Sequence, residues 1–98
     1  MKAIVVRYQA KPDRADENQR LVEAVFDDLA ARRPKGFSYN VFRLEDGVSF
    51  VHVVVEEDVE APDSLQAVPA FQAFVAGIAD RCDVAPVAMG ATIVGSYR

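Results

Sequence analysis

Along the chain, alternating apolar and polar positions give way to helical spacing, return to alternation, and repeat the change once more. From Met1 to Gln9, Ile4, Val6 and Tyr8 share one parity and Ala3, Val5, Arg7 and Gln9 the other, the period of two that predicts a strand. Lys11-Pro12-Asp13 ends it. Pro12 suits a helix entry, and Asp13 with Asp16 makes a capping-type start. Leu21, Val22, Val25, Phe26 and Leu29 then recur on one helical face, so a helix is predicted up to Pro34-Lys35-Gly36.

Phe37 to Leu44 and Val48 to Val55 predict two strands joined by Asp46-Gly47, a pair that favours a tight hairpin. With those two residues as the turn, Glu45 lies opposite Val48, Arg43 opposite Phe50, Val41 opposite His52 and Tyr39 opposite Val54. One side of the hairpin then carries Phe37, Tyr39, Val41, Arg43, Phe50, His52 and Val54. The other carries Ser38, Asn40, Phe42, Leu44, Ser49, Val51, Val53 and Val55. An acidic connection through Glu56, Glu57, Asp58, Glu60 and Asp63 leads to a second helix, with Asp63 or Ser64 as its cap. Pro69 restarts that helix, and Phe71, Phe74, Val75 and Ile78 form its apolar stripe, ending near Arg81. Val84 to Tyr97 predicts a last strand, with Gly90 and Gly95 marking a bulge or bend.

The order β, α, β, β, α, β with a tight central hairpin predicts an α+β, ferredoxin-like fold, in which both helices cover one face of a four-stranded antiparallel sheet. The hairpin is apolar on both sides, so one apolar face remains. It is expected to pack against its own copy as a homodimer, sheet to sheet in a dimeric α/β barrel. Tyr39, Val41, Phe50, His52 and Val54 are assigned to that interface.

At 98 residues, with 51% apolar and 27% charged, the chain is expected to form a single domain over residues 1–98. The net charge of −4 argues against nucleic-acid binding, which needs clustered cations. The one dense basic spot, Arg32, Arg33 and Lys35, falls at a helix end, where it complements the helix dipole. A single cysteine, Cys82, excludes an intramolecular disulfide and multi-cysteine zinc patterns and reads as a buried filler. No leader opens the chain, and no apolar run approaches the roughly 20 residues of a membrane span. A soluble, cytoplasmic protein is expected. Glu56, Glu57 and Asp58 lack histidine or cysteine companions, so no metal site is expected. No phosphate cradle or nucleophile elbow is present.

Two residues carry candidate chemistry. His52, the single histidine, would be a base near neutral pH, or else an interface histidine bonded across the two-fold. Arg7, a charge inside a strand, would hold an anionic or enolate oxygen, or else face solvent. Asn40 would orient a ligand carbonyl or else hydrogen-bond within the helix-facing layer, and Phe71 and Phe74 with Phe26 would line an aromatic slot or fill the core.

The stretches YQAKPDRADENQRLVEAV, RRPKGFSYNVFRLEDG and VPAFQAFVAGIAD resemble the dimeric α/β barrels related to the antibiotic-biosynthesis monooxygenases, over nearly the whole chain. The resemblance implies a cofactor-independent oxygenase acting on a small aromatic or quinol. It places a ligand cleft near Arg7, Asn40, Phe42, Val53, Val55, Phe71 and Phe74, with Arg7 and His52 as catalytic residues. The haem-degrading branch typically uses a strand asparagine, a tryptophan ending the third strand and a histidine on the second helix. Arg7 and Val55 stand at the first two positions, and the second helix has no histidine, so haem degradation is not expected. The alternative function is a non-catalytic small-molecule-binding or structural protein of the same fold.

Overall fold

Residues 2–60 and 62–97 are described by a computed structural model; Met1, assigned by pattern to the first strand, lies outside them. The elements follow the expected order: β1 (Lys2–Ala10), α1 (Ala15–Arg32), β2 (Phe37–Arg43), β3 (Ser49–Glu56), α2 (Pro69–Ala76), α3 (Ile78–Arg81) and β4 (Cys82–Ala91). The four strands form one sheet in the order β2-β3-β1-β4, and each neighbouring pair is antiparallel. This is the α+β ferredoxin-like arrangement, with the longest helix and the α2–α3 segment on one side of the sheet.

The hairpin register is the expected one: Arg43 pairs with Phe50, Val41 with His52 and Tyr39 with Val54. Its connection is looser than a two-residue turn. The Leu44 amide donates to the Ser49 carbonyl at 2.8 Å and the Gly47 amide to the Leu44 carbonyl at 3.0 Å, so four residues, Glu45 to Val48, make the loop. Only Gly47 takes a positive φ, at 78°, whereas a two-residue type I′ turn needs two such residues. The Asp46 carboxylate accepts from the backbone amides of Val48 (3.0 Å) and Ser49 (2.8 Å) and from the Ser49 hydroxyl. These bonds hold its pKa below the usual carboxylate range.

The helix entries differ from the pattern-based expectation. Pro12–Arg14 is a 3-10 turn, and no side chain caps α1; Asp16 instead accepts from Arg43 Nη1 at 3.0 Å. At the other end, Arg33 adopts the left-handed conformation, φ 52°, and its amide donates to the Leu29 carbonyl. Neither Asp63 nor Ser64 caps the second helix. Asp63 accepts from the Lys35 amide at 2.7 Å, and the first turn of α2 is held from α1, where Asp28 Oδ2 accepts from the Ala70 amide at 3.1 Å. The second helix is also broken at Gly77, which separates α2 from α3. The final strand begins at Cys82 and stops at Ala91, so Gly95 lies beyond it. The register irregularities fall between Arg7 and Ala10 of β1, and Gly90 pairs regularly with Ile4.

The sheet is apolar on both faces, but the faces are exchanged relative to the sequence-based assignment. Residues paired across strands share a face, so Ile4, Val6 and Tyr8 stand with Val54, His52 and Phe50, and these with Tyr39 and Val41. This is the helix-facing layer: Phe50 is 2% exposed and His52 4%, and Tyr39, Phe50 and Tyr8 form one cluster with Val25, Leu65 and Phe74. Tyr39, Val41, Phe50, His52 and Val54 therefore do not form an open interface. Large rings decide the matter, because only packing against helices buries them: Tyr8 stacks on Phe50 at 5.4 Å and Tyr39 on Phe26 of α1 at 5.1 Å between centroids. The face left uncovered carries Val5, Arg7, Asn40, Phe42, Val51, Val53, Val87 and Met89. Phe42 is 52% exposed there and Met89 67%.

Candidate functional site

Between the helix-facing layer and α2 lies a cavity of about 630 Å³. Its walls are Ile4, Val6, Val54, Phe71, Phe74 and Ile78, with Tyr8, Tyr39 and His52 as polar groups and Glu56, Asp63 and Gln66 also in its lining. The size suits a small aromatic ligand.

The polar groups form one connected chain. Tyr39 Oη is 2.7 Å from His52 Nδ1, and His52 Nε2 is 2.7 Å from Tyr8 Oη. Asn18 Nδ2 of α1 donates to Tyr8 Oη at 2.8 Å. Arg81 Nε of α3 donates to Asn18 Oδ1 at 3.1 Å, and its Nη2 donates to the Phe74 carbonyl at 2.6 Å. Asn18 is fully buried and Arg81 is 2% exposed. The Arg81 guanidinium lies 5.2 Å from the Phe74 ring centroid. Gly77 leaves it room, since a Cβ there would stand 3.1 Å from Arg81 Nη1.

Burial sets the charge states. It lowers the His52 pKa from 6.5 to about 4, so the imidazole is neutral at neutral pH. Burial likewise raises both tyrosine hydroxyls above their usual range, so both keep their protons. The Tyr39–His52–Tyr8–Asn18 array is therefore a set of neutral donors and acceptors with one buried cation behind it, while Glu56, Glu57 and Asp63 place carboxylates elsewhere in the cavity lining. Glu17, the carboxylate that bears on Arg81, is itself paired with Arg14 at 2.9 Å.

The residues expected at the site are divided by the sheet. His52, Phe71 and Phe74 meet in the cavity. His52 bonds within its own chain, to two tyrosines, rather than across a two-fold. Arg7, Asn40, Phe42, Val53 and Val55 belong to the opposite face, because the period of two turns each away from its helix-facing neighbours. Arg7 is exposed there and lines a concavity of about 500 Å³ with Val5, Val51, Val87 and Met89. It cannot act together with His52 inside one monomer's cavity.

Sequence reasoning missed Tyr8, Asn18 and Arg81 as site residues. Each had a signal: a polar group standing on an apolar stripe. Tyr8 shares parity with Ile4 and Val6, Asn18 precedes Leu21 and Val22 by three and four positions, and Arg81 follows Ile78 by three.

No protein-family model matches the sequence, and no curated protein matches it. Solved structures do share its architecture. The Rv0793 protein from Mycobacterium tuberculosis superposes with a TM-score of 0.76 at 17% identity, covering 99% of this chain and 98% of its own. A structure described as an antibiotic biosynthesis monooxygenase gives 0.76 at 18% identity, with 97% and 100% covered. A point variant of SnoaB, a cofactor-independent oxygenase from Streptomyces nogalater, gives 0.69 at 18%, with 97% and 94% covered. Over essentially its whole length, the chain has the fold of the antibiotic-biosynthesis-monooxygenase-like proteins.

Proposed function

We propose that the protein is a cofactor-independent monooxygenase-like enzyme that oxidises a small aromatic or quinol substrate with dioxygen. The observation that carries this reading is the aromatic-walled cavity of about 630 Å³ with the Tyr39–His52–Tyr8 array on its sheet side. The likeness to a structure described as a cofactor-independent oxygenase supports it.

A phenol held against that array reacts as its anion, its proton released to solvent on binding and one proton taken back from solvent by the peroxide that forms, since an electron-rich phenolate passes an electron to dioxygen far more readily than the neutral phenol. Recombination at a ring carbon bearing hydrogen, followed by loss of water, leaves a carbonyl at that carbon. One oxygen atom enters the product and the other leaves as water. The protein's part is to bind the ring between Phe71, Phe74 and the sheet and to stabilise the anionic oxygen with a hydroxyl. His52 serves by fixing the tyrosines; with both nitrogens engaged and a pKa near 4, it is a weak general base at neutral pH.

We propose in addition that the uncovered sheet face, with Phe42, Val53, Val87 and Met89, is where two copies meet. That assembly encloses Arg7 in the barrel.

Oxygen uptake by the purified protein with a panel of quinols and phenols, no cofactor added, tests the enzymatic reading. Uptake that disappears when Phe71→Trp fills the cavity is the expected result. Ligand binding without uptake across the panel would overturn it in favour of the binding-protein alternative.

A further inference from the structure

The hydrogen-bond chain from Arg81 to Tyr39 has a direction, and that direction dictates what the cavity accepts. Arginine has donors only, so Asn18 must turn its Oδ1 toward Arg81 Nε and its amide nitrogen toward Tyr8, as the distances of 3.1 and 2.8 Å show. Tyr8 Oη therefore accepts from Asn18, and its own proton is left to donate. The acceptor within reach is His52 Nε2 at 2.7 Å. The neutral imidazole then carries its proton on Nδ1 and donates it to Tyr39 Oη at 2.7 Å. Every link is used except the last: no group among the described residues accepts the Tyr39 hydroxyl proton, and Tyr39 lines the cavity. The opposite tautomer would leave the spare proton on Tyr8, which is more buried and already held on two sides.

We infer that Arg81 and Asn18, neither of which lines the cavity, are positioning residues. They lock His52 as the Nδ1–H tautomer, so that Tyr39 presents a hydroxyl donor to an anionic phenolate-type oxygen of the ligand. Arg81 has a second effect. It is a buried cation with no carboxylate among the described residues hydrogen-bonded to it, so the relay is polarised toward an anion at its far end. This inference rests on the ligand cavity identified above but not on turnover.

The test uses the full-length protein and para-nitrophenol, whose phenolate form is coloured. Bound to the wild type, the probe is expected to ionise about tenfold more readily than when bound to a protein lacking the Tyr39 hydroxyl, the worth of one hydrogen bond to a charged oxygen. Tyr39→Phe, which keeps the ring and removes the terminal donor, is expected to abolish that enhancement. Nitrogen NMR of the single histidine is expected to show the Nδ1–H form. Asn18→Asp places an acceptor toward Tyr8 and keeps a partner for Arg81, so it is expected to reverse the tautomer and to lose the ionisation enhancement with the fold retained. An Nε2–H histidine in the wild type, or a Tyr39→Phe variant that ionises the probe as the wild type does, overturns the inference. If Asn18→Asp does not fold, the wild-type tautomer and the Tyr39→Phe result decide the matter. Oxygen uptake is scored separately: its absence counts against the enzymatic reading, whereas uptake with an Nε2–H histidine counts against this one alone.

Discussion

Lowering the pH from 7 to 5 is expected to destabilise the fold by about 2 kcal/mol through His52 alone. In the folded chain burial holds the imidazole near pKa 4 against 6.5 for the free group. Below pH 6.5 the unfolded chain takes up a proton that the folded chain refuses. The stability associated with His52 is therefore whole above pH 6.5 and falls as acid is added. By pH 4, where the folded imidazole itself begins to protonate, the loss totals about 3 kcal/mol, at about 1.4 kcal/mol for each pH unit of that window. The assay is urea denaturation at pH 7, 6 and 5, with the His52→Gln variant measured in parallel. Carboxylates common to both proteins cancel in the difference, so the difference between the two slopes isolates the histidine. An NMR titration of the one histidine should place its midpoint near 4. Wild-type stability that does not change between pH 7 and 5, or equal slopes in the two proteins, would refute the argument that burial without a charged partner sets this group.

The face assignment is expected to appear as a contrast between two neighbours on β3. Val53→Asp, on the uncovered face, should leave a folded monomer by sedimentation velocity and circular dichroism. Phe50→Asp, on the buried face, should not fold. Truncating Phe50 to alanine should cost about 4 kcal/mol in denaturant titrations, since its ring is 2% exposed and stacked on Tyr8. The glycines of the two turns should also part company in thermal melts. Gly36→Ala should cost about 3 kcal/mol, because φ is 97° and the new Cβ would stand 2.6 Å from Pro62 Cβ. Gly47→Ala should cost about 1 kcal/mol, the left-handed backbone penalty alone, since nothing lies within 4 Å of its Cβ position.

The hairpin illustrates what local pattern conveys. Asp46-Gly47 and the flanking alternation were enough to set the register of β2 on β3, because a period of two makes any one-residue slip reverse every side chain. The same pattern could not say which side the helices take, since both sides are apolar. The functional residues suffered most from that ambiguity. His52 was legible as the single histidine, but its partners come from β1 and β2, and the residues behind them from α1 and α3, over separations of up to 63 positions. The helix caps show the same limit: Asp28, which caps α2, lies 42 residues before Ala70.

Sequence by itself determined the order of elements, the register of β2 on β3, the ferredoxin-like class and the presence of more apolar sheet surface than two helices can cover. These follow from periodicity, turn chemistry and composition, all of which act between near neighbours in the chain. Only the tertiary structure decided which face the helices bury, and with it that His52 lies in a cavity between two tyrosines while Arg7 stands on the far side of the sheet. The reason is physical: the choice depends on how the aromatic rings of Tyr8, Tyr39 and Phe50 pack against Phe26 and Phe74, and on whether their polar tips find partners. Both depend on side chains that meet only when the chain has folded.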